Sequence, residues 1–190
     1  MTAFEPSPLV PQRMFLTSGT GTHPWELRAQ ALMYLDAGIG SYNRVGVSSR
    51  TPPGCLLIDR AEGMDHLRPG QLIFAVQAIA RTRLPGARVA SAIAVALPED
   101  GSIGTVAEVH EGDSLGKNAA QAEDKALRMA LATVSIELGH PDWELAPHAT
   151  PYGPHTIGST GIRTHTISAE ATGPLNGDWV KTIAALVFLF

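Results

Sequence analysis

The chain is expected to fold as a layered α+β protein, and three features of its sequence predict this. Segments of alternating apolar and polar residues outnumber helical ones. Two stretches, about residues 24–36 and 117–138, carry helical spacing instead. The strands also come in runs, not in repeating strand–helix–strand units, which points away from a parallel doubly wound sheet.

After a proline-rich start, Met14-Phe15-Leu16 reads as a short strand that runs into a polar, glycine-rich turn, Thr17 to Thr22. Pro24 suits the first turn of a helix, where its missing N–H is no loss. That helix is predicted to end at Asp36, with Leu27, Ala31, Tyr34 and Leu35 near one face and Gly38 as its stop. Tyr42–Ser48 and Cys55–Ile58 read as strands flanking a rigid Pro52-Pro53-Gly54 corner. Gln71–Arg83, Val89–Leu97 and Ile103–His110 come next, separated by Leu84-Pro85-Gly86 and by Pro98-Glu99-Asp100-Gly101. Proline fixes φ and glycine admits positive φ, so both connectors read as turns of an antiparallel meander. Leu127, Leu131, Val134 and Leu138, spaced four, three and four, mark a helix closed by Gly139-His140-Pro141. Ile162–Glu170 and Val180–Phe190 return to strand character.

A chain of 190 residues can bury a sizeable core as one domain, residues 1–190, without disulfides or metal. Hydrophobic residues at 44% and charged ones at 17% fit a globular protein. Fourteen basic against eighteen acidic residues, with no Lys/Arg stripe, argue against a nucleic-acid partner. Met1 to Gln12 lacks a charged segment followed by an apolar one, and the apolar run from Ile183 to Phe190 is too short to span a bilayer. The expectation is a cytoplasmic enzyme with no membrane partner. Cys55, the lone cysteine, reads as a small half-buried hydrophobe beside a turn. His148, His155 and His165 lack the spacing of a metal site, and none is expected. Gly19-Thr20-Gly21 lacks the spacing of a phosphate loop and reads as a structural turn near the active site.

The stretch from Ala37 to Gly54, AGIGSYNRVGVSSRTPPG, is the most informative. It resembles the pyruvoyl-dependent arginine decarboxylase family, whose segment reads A-G-I-x-N-x-N-L-x-x-x-S-S-x-x-P-P. The resemblance continues through Gly70-Gln71-Leu72, Leu84-Pro85-Gly86, the run from Val89 to Asp100, and Glu111-Gly112 with the alanine-rich helix after it. It implies a layered αββα sandwich of antiparallel sheets with two main helices. It further implies cleavage between Ser48 and Ser49, a covalent pyruvoyl group made from Ser49, and a homotrimer with active sites between subunits. The substrate would be a small molecule, an amino acid, bound to the pyruvoyl carbonyl as a Schiff base while carbon dioxide leaves.

The cleavage chemistry can be argued from the residues. A serine hydroxyl held against the preceding carbonyl can turn amide into ester, and β-elimination then leaves dehydroalanine, which hydrolyses to pyruvoyl with loss of ammonia. Ser49 is the residue consumed. The resemblance assigns the later proton transfer to a glutamate just ahead of a Glu-Gly pair. Glu108 and Glu111 both qualify, because Glu108-Val109-His110-Glu111-Gly112 carries one more residue than the family's E-x-E-G. Glu108 is favoured, with a β-bulge absorbing the extra residue. Asn43 matches a family asparagine that supports the cleavage site.

Two positions depart from the pattern. Arginine-decarboxylating members carry an Asp on the first helix, and its place falls here on Ala31. A guanidinium leaving water needs an anionic partner, and Glu26 and Asp36 sit five residues away, about 140° around a helix of 3.6 residues per turn. Arg28 and Tyr34 share the Ala31 face instead, so the preferred substrate is expected to differ from arginine: less cationic, acidic or aromatic. Arg50 stands where the family residue is usually apolar; it either binds a substrate carboxylate or faces solvent. The candidate substrate-pocket residues are thus Ala31, Arg28, Tyr34, Arg50 and Glu111. Two rival readings remain open at this point: a non-cleaving homologue acting as a binding or regulatory subunit, and an unrelated α+β enzyme whose chemistry lies in the His-rich C-terminal third.

Overall fold

A computed structural model describes residues 9–190. The signal-peptide question raised by Met1 to Gln12 falls mostly on residues 1–8, outside those described. Ten strands and three helices run in the order β1 (Arg13–His23), α1 (Glu26–Asp36), β2 (Asn43–Gly46), β3 (Arg50–Thr51), β4 (Leu56–Leu57), α2 (Arg60–Asp65), β5 (Leu72–Thr82), β6 (Arg88–Pro98), β7 (Gly104–Val109), α3 (Ala119–Glu137), β8 (His155–Ile157), β9 (Thr160–Thr172) and β10 (Trp179–Leu189). They form two five-stranded sheets, β2-β5-β10-β1-β4 and β3-β7-β6-β9-β8. The sheets face each other, α1 covers the outer face of the first and α3 that of the second, and the expected αββα sandwich results.

The layering explains the composition of the central strands. β10 and β6 are buried almost throughout, because each has a helix on one side and the opposite sheet on the other. Along β6, Ala90, Ala92, Ala94 and Ala96 meet Leu127, Leu131 and Val134 of α3, while Ile93 and Val95 join Val76, Leu186 and Phe188 between the sheets. The alanines let the helix approach closely. Asn118 starts that helix: its side chain accepts from the Gln121 N–H at 2.8 Å, and the Gln121 side chain accepts from the Asn118 N–H at 3.0 Å. A cap of this kind is worth about 1 kcal/mol.

Several expectations are corrected. The glycine-rich segment after Leu16 is no turn, for β1 continues through it to His23 and pairs with β10 over its whole length. Gly19 and Gly21 serve α1 instead. A Cβ on either would fall inside 3.0 Å of helix backbone, at Ala37 and Met33 for the first and at Ala29 and Met33 for the second. This close seat rotates the predicted helix face: Tyr34 is buried as expected, but with Ala29 and Met33, whereas Ala31 is exposed and Leu27 and Leu35 are 77% and 65% exposed. The three long middle strands are not one meander. β6 and β7 form a hairpin, but β5 belongs to the other sheet, so Leu84-Pro85-Gly86 is an arch between layers. Strands buried on both faces carry no mark of which neighbour they pair with. The first sheet is also mixed, since β2 and β4 join its edges in parallel.

Candidate active site

Ser48 and Ser49 lie where the chain passes from one sheet to the other. β2 ends at Gly46 on the edge of the first sheet, and β3 begins at Arg50 on the edge of the second. The crossing is pinned at both ends: the Val47 N–H donates to the Ala75 carbonyl at 3.2 Å, and the Ser49 carbonyl accepts from the Val106 N–H at 3.0 Å. Between these pins the chain makes a three-residue turn, in which the Arg50 N–H donates to the Ser48 carbonyl at 2.9 Å. The turn carries no left-handed residue.

The Pro52-Pro53-Gly54 corner redirects the chain as it leaves β3. Cys55 N–H closes it on the Pro52 carbonyl at 3.1 Å, and Gly54 takes φ +70°. Proline and then a positive-φ glycine at the two central positions is the type II signature. Gly104 lets β3 lie against β7, since a Cβ there would crowd Thr51 Oγ1 and the Ala96 carbonyl.

Into this crossing points Glu108. It stands on β7 opposite Ile93, on the strand face that Val106 shares with the inter-sheet core, and half-buried. The Ser49 hydroxyl donates to Glu108 Oε1 at 2.6 Å, at the short end for a hydroxyl donor. The β6–β7 ladder runs in unbroken register to Val109, so there is no bulge; the extra residue before Gly112 lies in the turn after the strand.

The other predicted residues lie elsewhere. Asn43 starts β2 and spends its side-chain N–H on the Gly70 carbonyl at 2.8 Å, with no bond to Ser49 among the described residues. Glu111 binds Arg81 at 2.8 Å. Arg81 also pairs with Glu26, and Glu26 binds the buried Lys181 at 3.0 Å. The hydrogen bond from Lys181, then that from Arg81, holds the Glu26 carboxyl below the usual glutamate value of 4.5. Tyr34 is buried, donates to Gln77 at 3.1 Å and lies under the Arg44 guanidinium, 3.6 Å from its ring centre. Ala31 and Arg28 are exposed on α1, on the outer side of the first sheet, and Arg28 stacks near Trp25 at 5.5 Å. None of these is hydrogen-bonded to Ser49 among the described residues. Asp36 accepts the Thr20 N–H at 2.8 Å.

Arg50 is half exposed, and its Nη1 lies 2.6 Å from Glu137 Oε1 at the end of α3. Sequence reasoning missed this partner, 87 positions away and without a spacing rule to find it. A cavity of about 340 Å³ opens beside Ser48, lined by Leu9, Pro11, Val47, Arg50, Pro52, Phe74, Phe188 and Phe190. Its lining has aromatic rings and one cation, and no Asp or Glu side chain among the described residues. Cys55 is buried, and desolvation pushes its thiol up to about 11, which leaves it a poor nucleophile.

Fold and site together define an αββα protein with a serine–carboxylate pair at the crossover between its sheets. Comparison with known proteins places it more narrowly. The model of the family described as pyruvoyl-dependent arginine decarboxylase matches residues 13–190, and the chain belongs to that family. It is 36% identical over 183 residues to "Pyruvoyl-dependent arginine decarboxylase 2" of Methanosarcina acetivorans, covering 95% of this chain and 98% of that one. It is 37% identical over 131 residues to the "Pyruvoyl-dependent arginine decarboxylase" of Methanococcoides burtonii, covering 68% and 73%, respectively. A "Probable pyruvoyl-dependent arginine decarboxylase" of Chloroherpeton thalassium is 34% identical over 183 residues, covering 95% and 98%. The chain is therefore a decarboxylase, a carbon–carbon lyase, of a family whose name implies a pyruvoyl prosthetic group. The reading of an unrelated enzyme centred on the C-terminal histidines is set aside. No described helix is long and apolar enough to cross a membrane.

Proposed function

We propose that this chain makes its pyruvoyl group by cutting itself between Ser48 and Ser49, and that Glu108 is the base that starts the cut. The observation that carries the reading is the 2.6 Å hydrogen bond from the Ser49 hydroxyl to Glu108 Oε1. Glu108 takes the hydroxyl proton as Ser49 Oγ attacks the Ser48 carbonyl carbon. The Ser48–Ser49 C–N bond breaks, its nitrogen gains a proton, and Ser48 is left as an ester on Ser49 Oγ. Loss of the Ser49 α-proton with cleavage of the Cβ–Oγ bond releases Ser48 as a carboxylate and leaves dehydroalanine at 49. Tautomerisation, addition of water and departure of ammonia complete the group.

The residues present fit a precursor of this kind: a hydroxyl on a base, and a carbonyl already holding a backbone donor. Once formed, the group supplies a ketone that condenses with a substrate amine and draws off the electrons freed as carbon dioxide leaves. Glu108 stays beside position 49 in the second reaction, placed to return a proton to the substrate carbon. Glu111 is held by Arg81 and is the poorer candidate.

The preferred substrate, in this proposal, is less cationic than arginine. The relatives are named for arginine, but here Ala31 stands at the place implied for the guanidinium partner, and Glu26 and Asp36 are already bound. The cavity beside Ser48 likewise has no acidic side chain among its described lining residues. Assembly as a homotrimer is part of the same proposal, and the exposed Leu27 and Leu35 of α1 supply an apolar surface for it.

Intact-mass spectrometry tests the cleavage: two pieces are expected, one ending at Ser48 and one beginning with a blocked residue. A single full-length mass would overturn it and favour the non-cleaving homologue acting as a binding or regulatory subunit. Carbon dioxide release across the amino acids tests the substrate, and arginine as clearly the best would refute that part.

A further inference from the structure

We propose that the ion pair between Arg50 and Glu137 is a positioning device for the cleavage, holding the backbone N–H of residue 50 against the carbonyl that is attacked. This rests on the self-processing reading above and adds to it a pair of residues that set its rate.

When Ser49 Oγ closes on the Ser48 carbonyl carbon, negative charge gathers on the Ser48 oxygen. The Arg50 N–H already donates to that oxygen, at 2.9 Å. A donor aimed in advance at a developing oxyanion is among the larger contributions to acyl-transfer catalysis. The three-residue turn that brings it there holds only if the chain is fixed on both sides of Ser49. Upstream, the ladder of β2 with β5 and the bond from Val47 to Ala75 provide this. Downstream, the backbone anchor is the single bond from the Val106 N–H to the Ser49 carbonyl and the two residues of β3, Arg50–Thr51, on a sheet edge.

The Arg50 side chain adds a second downstream anchor, to a different element. Its Nη1 lies 2.6 Å from Glu137 Oε1, and Glu137 is the last residue of the nineteen-residue α3. Leu127, Leu131 and Val134 bury that helix on the second sheet, so Glu137 is a fixed post. The Arg50 side chain is itself half exposed. Such a pair adds little to global stability, which makes its effect on cleavage separable from folding.

The test tracks the full-length chain after cell-free synthesis, with cleavage measured against time by gel and intact mass. Arg50→Ala and Glu137→Ala should each slow cleavage roughly two- to fivefold, the range a half-exposed ion pair can transmit to a barrier, with thermal midpoints unchanged. The doubly swapped R50E/E137R chain should recover most of the lost rate, and Glu137→Gln gives the same readout should a truncation misfold. Wild-type rates in the single variants overturn the proposal. A swapped chain as slow as Arg50→Ala also overturns it, because Arg50 then acts through its charge and not through the pair. An unaltered chain that never cleaves removes the self-processing reading instead.

Discussion

Replacing Glu108 by Gln is the sharpest perturbation of the site. The amide keeps the size of the carboxylate, and its carbonyl oxygen can still accept the Ser49 hydroxyl, so the bond now 2.6 Å long survives in form. The capacity to take the proton disappears. A positioned general base contributes about 10²- to 10⁴-fold, and the Ser48–Ser49 bond should therefore be cut at least about a hundredfold more slowly in the variant. Folding should change far less, because the exchange of a charge-assisted hydrogen bond for a neutral one in a half-buried place costs about 1 kcal/mol. Unfolding in denaturant reports the second quantity and time-resolved intact mass the first. Ser49→Ala, which has no hydroxyl to attack with, sets the zero. If Glu108→Gln is cut within about threefold of the normal rate, Glu108 is not the base and the 2.6 Å bond is a structural contact.

Three further outcomes are expected from the fold and its charges. Gly21→Ala should lower stability by about 1–3 kcal/mol in chemical denaturation, because its Cβ would meet the Ala29 and Met33 backbone, which cannot rotate away; an unchanged midpoint would mean that α1 is not seated as described. Cys55, with its thiol raised to about 11 by burial, should react with a thiol reagent at pH 8 far more slowly in the native protein than in denaturant, and equal rates would contradict its burial. The folded Glu26 carboxyl lies below the ordinary 4.5, held there first by Lys181 and then by Arg81, so its contribution is present above that pH and is lost as pH falls through the folded value. Glu26→Gln should flatten stability against pH on the acid side, and an unaltered acid limb would show that the network contributes nothing.

Local chemistry made much of this fold legible. The helix expected at about residues 117–138 forms as α3, and Gly38, Gly54, Gly101 and Gly139 all take positive φ where the chain was expected to stop or turn. Pairing was less legible. β5 and β6 are largely buried on both faces, so neither alternation nor the Leu84-Pro85-Gly86 connector tells a hairpin from an arch. The glycines of β1 misled for a related reason: in a strand under a helix they mark close approach of backbones, a tertiary fact that resembles turn chemistry in sequence. At the site, the Ser48–Ser49 pair and Glu108 were found through motif order, yet the contact between Ser49 and Glu108 spans 59 positions and depends on two strands meeting at a sheet edge. Arg50 was visible as a departure from the family pattern, but its partner Glu137 depends on where α3 ends.

The position of the crossing also explains how a backbone can be cut without loss of the fold. A break after Ser48 would leave β1, α1 and β2 on the shorter piece and every later element on the longer one. β1 lies inside its sheet, paired along all eleven residues with β10, and Met14, Phe15, Met33 and Ile39 of the shorter piece are fully buried. Burying one large apolar side chain is worth about 1.5–3 kcal/mol, so these four alone give the pieces on the order of 6–12 kcal/mol of mutual attraction. The peptide bond at 48–49 is therefore dispensable to the architecture. Its two neighbours are tied to different sheets by Val47 and Ala75 on one side and Ser49 and Val106 on the other, and these bonds would outlast a cut. A reactive group made at position 49 would inherit the place of the serine it came from, beside Glu108.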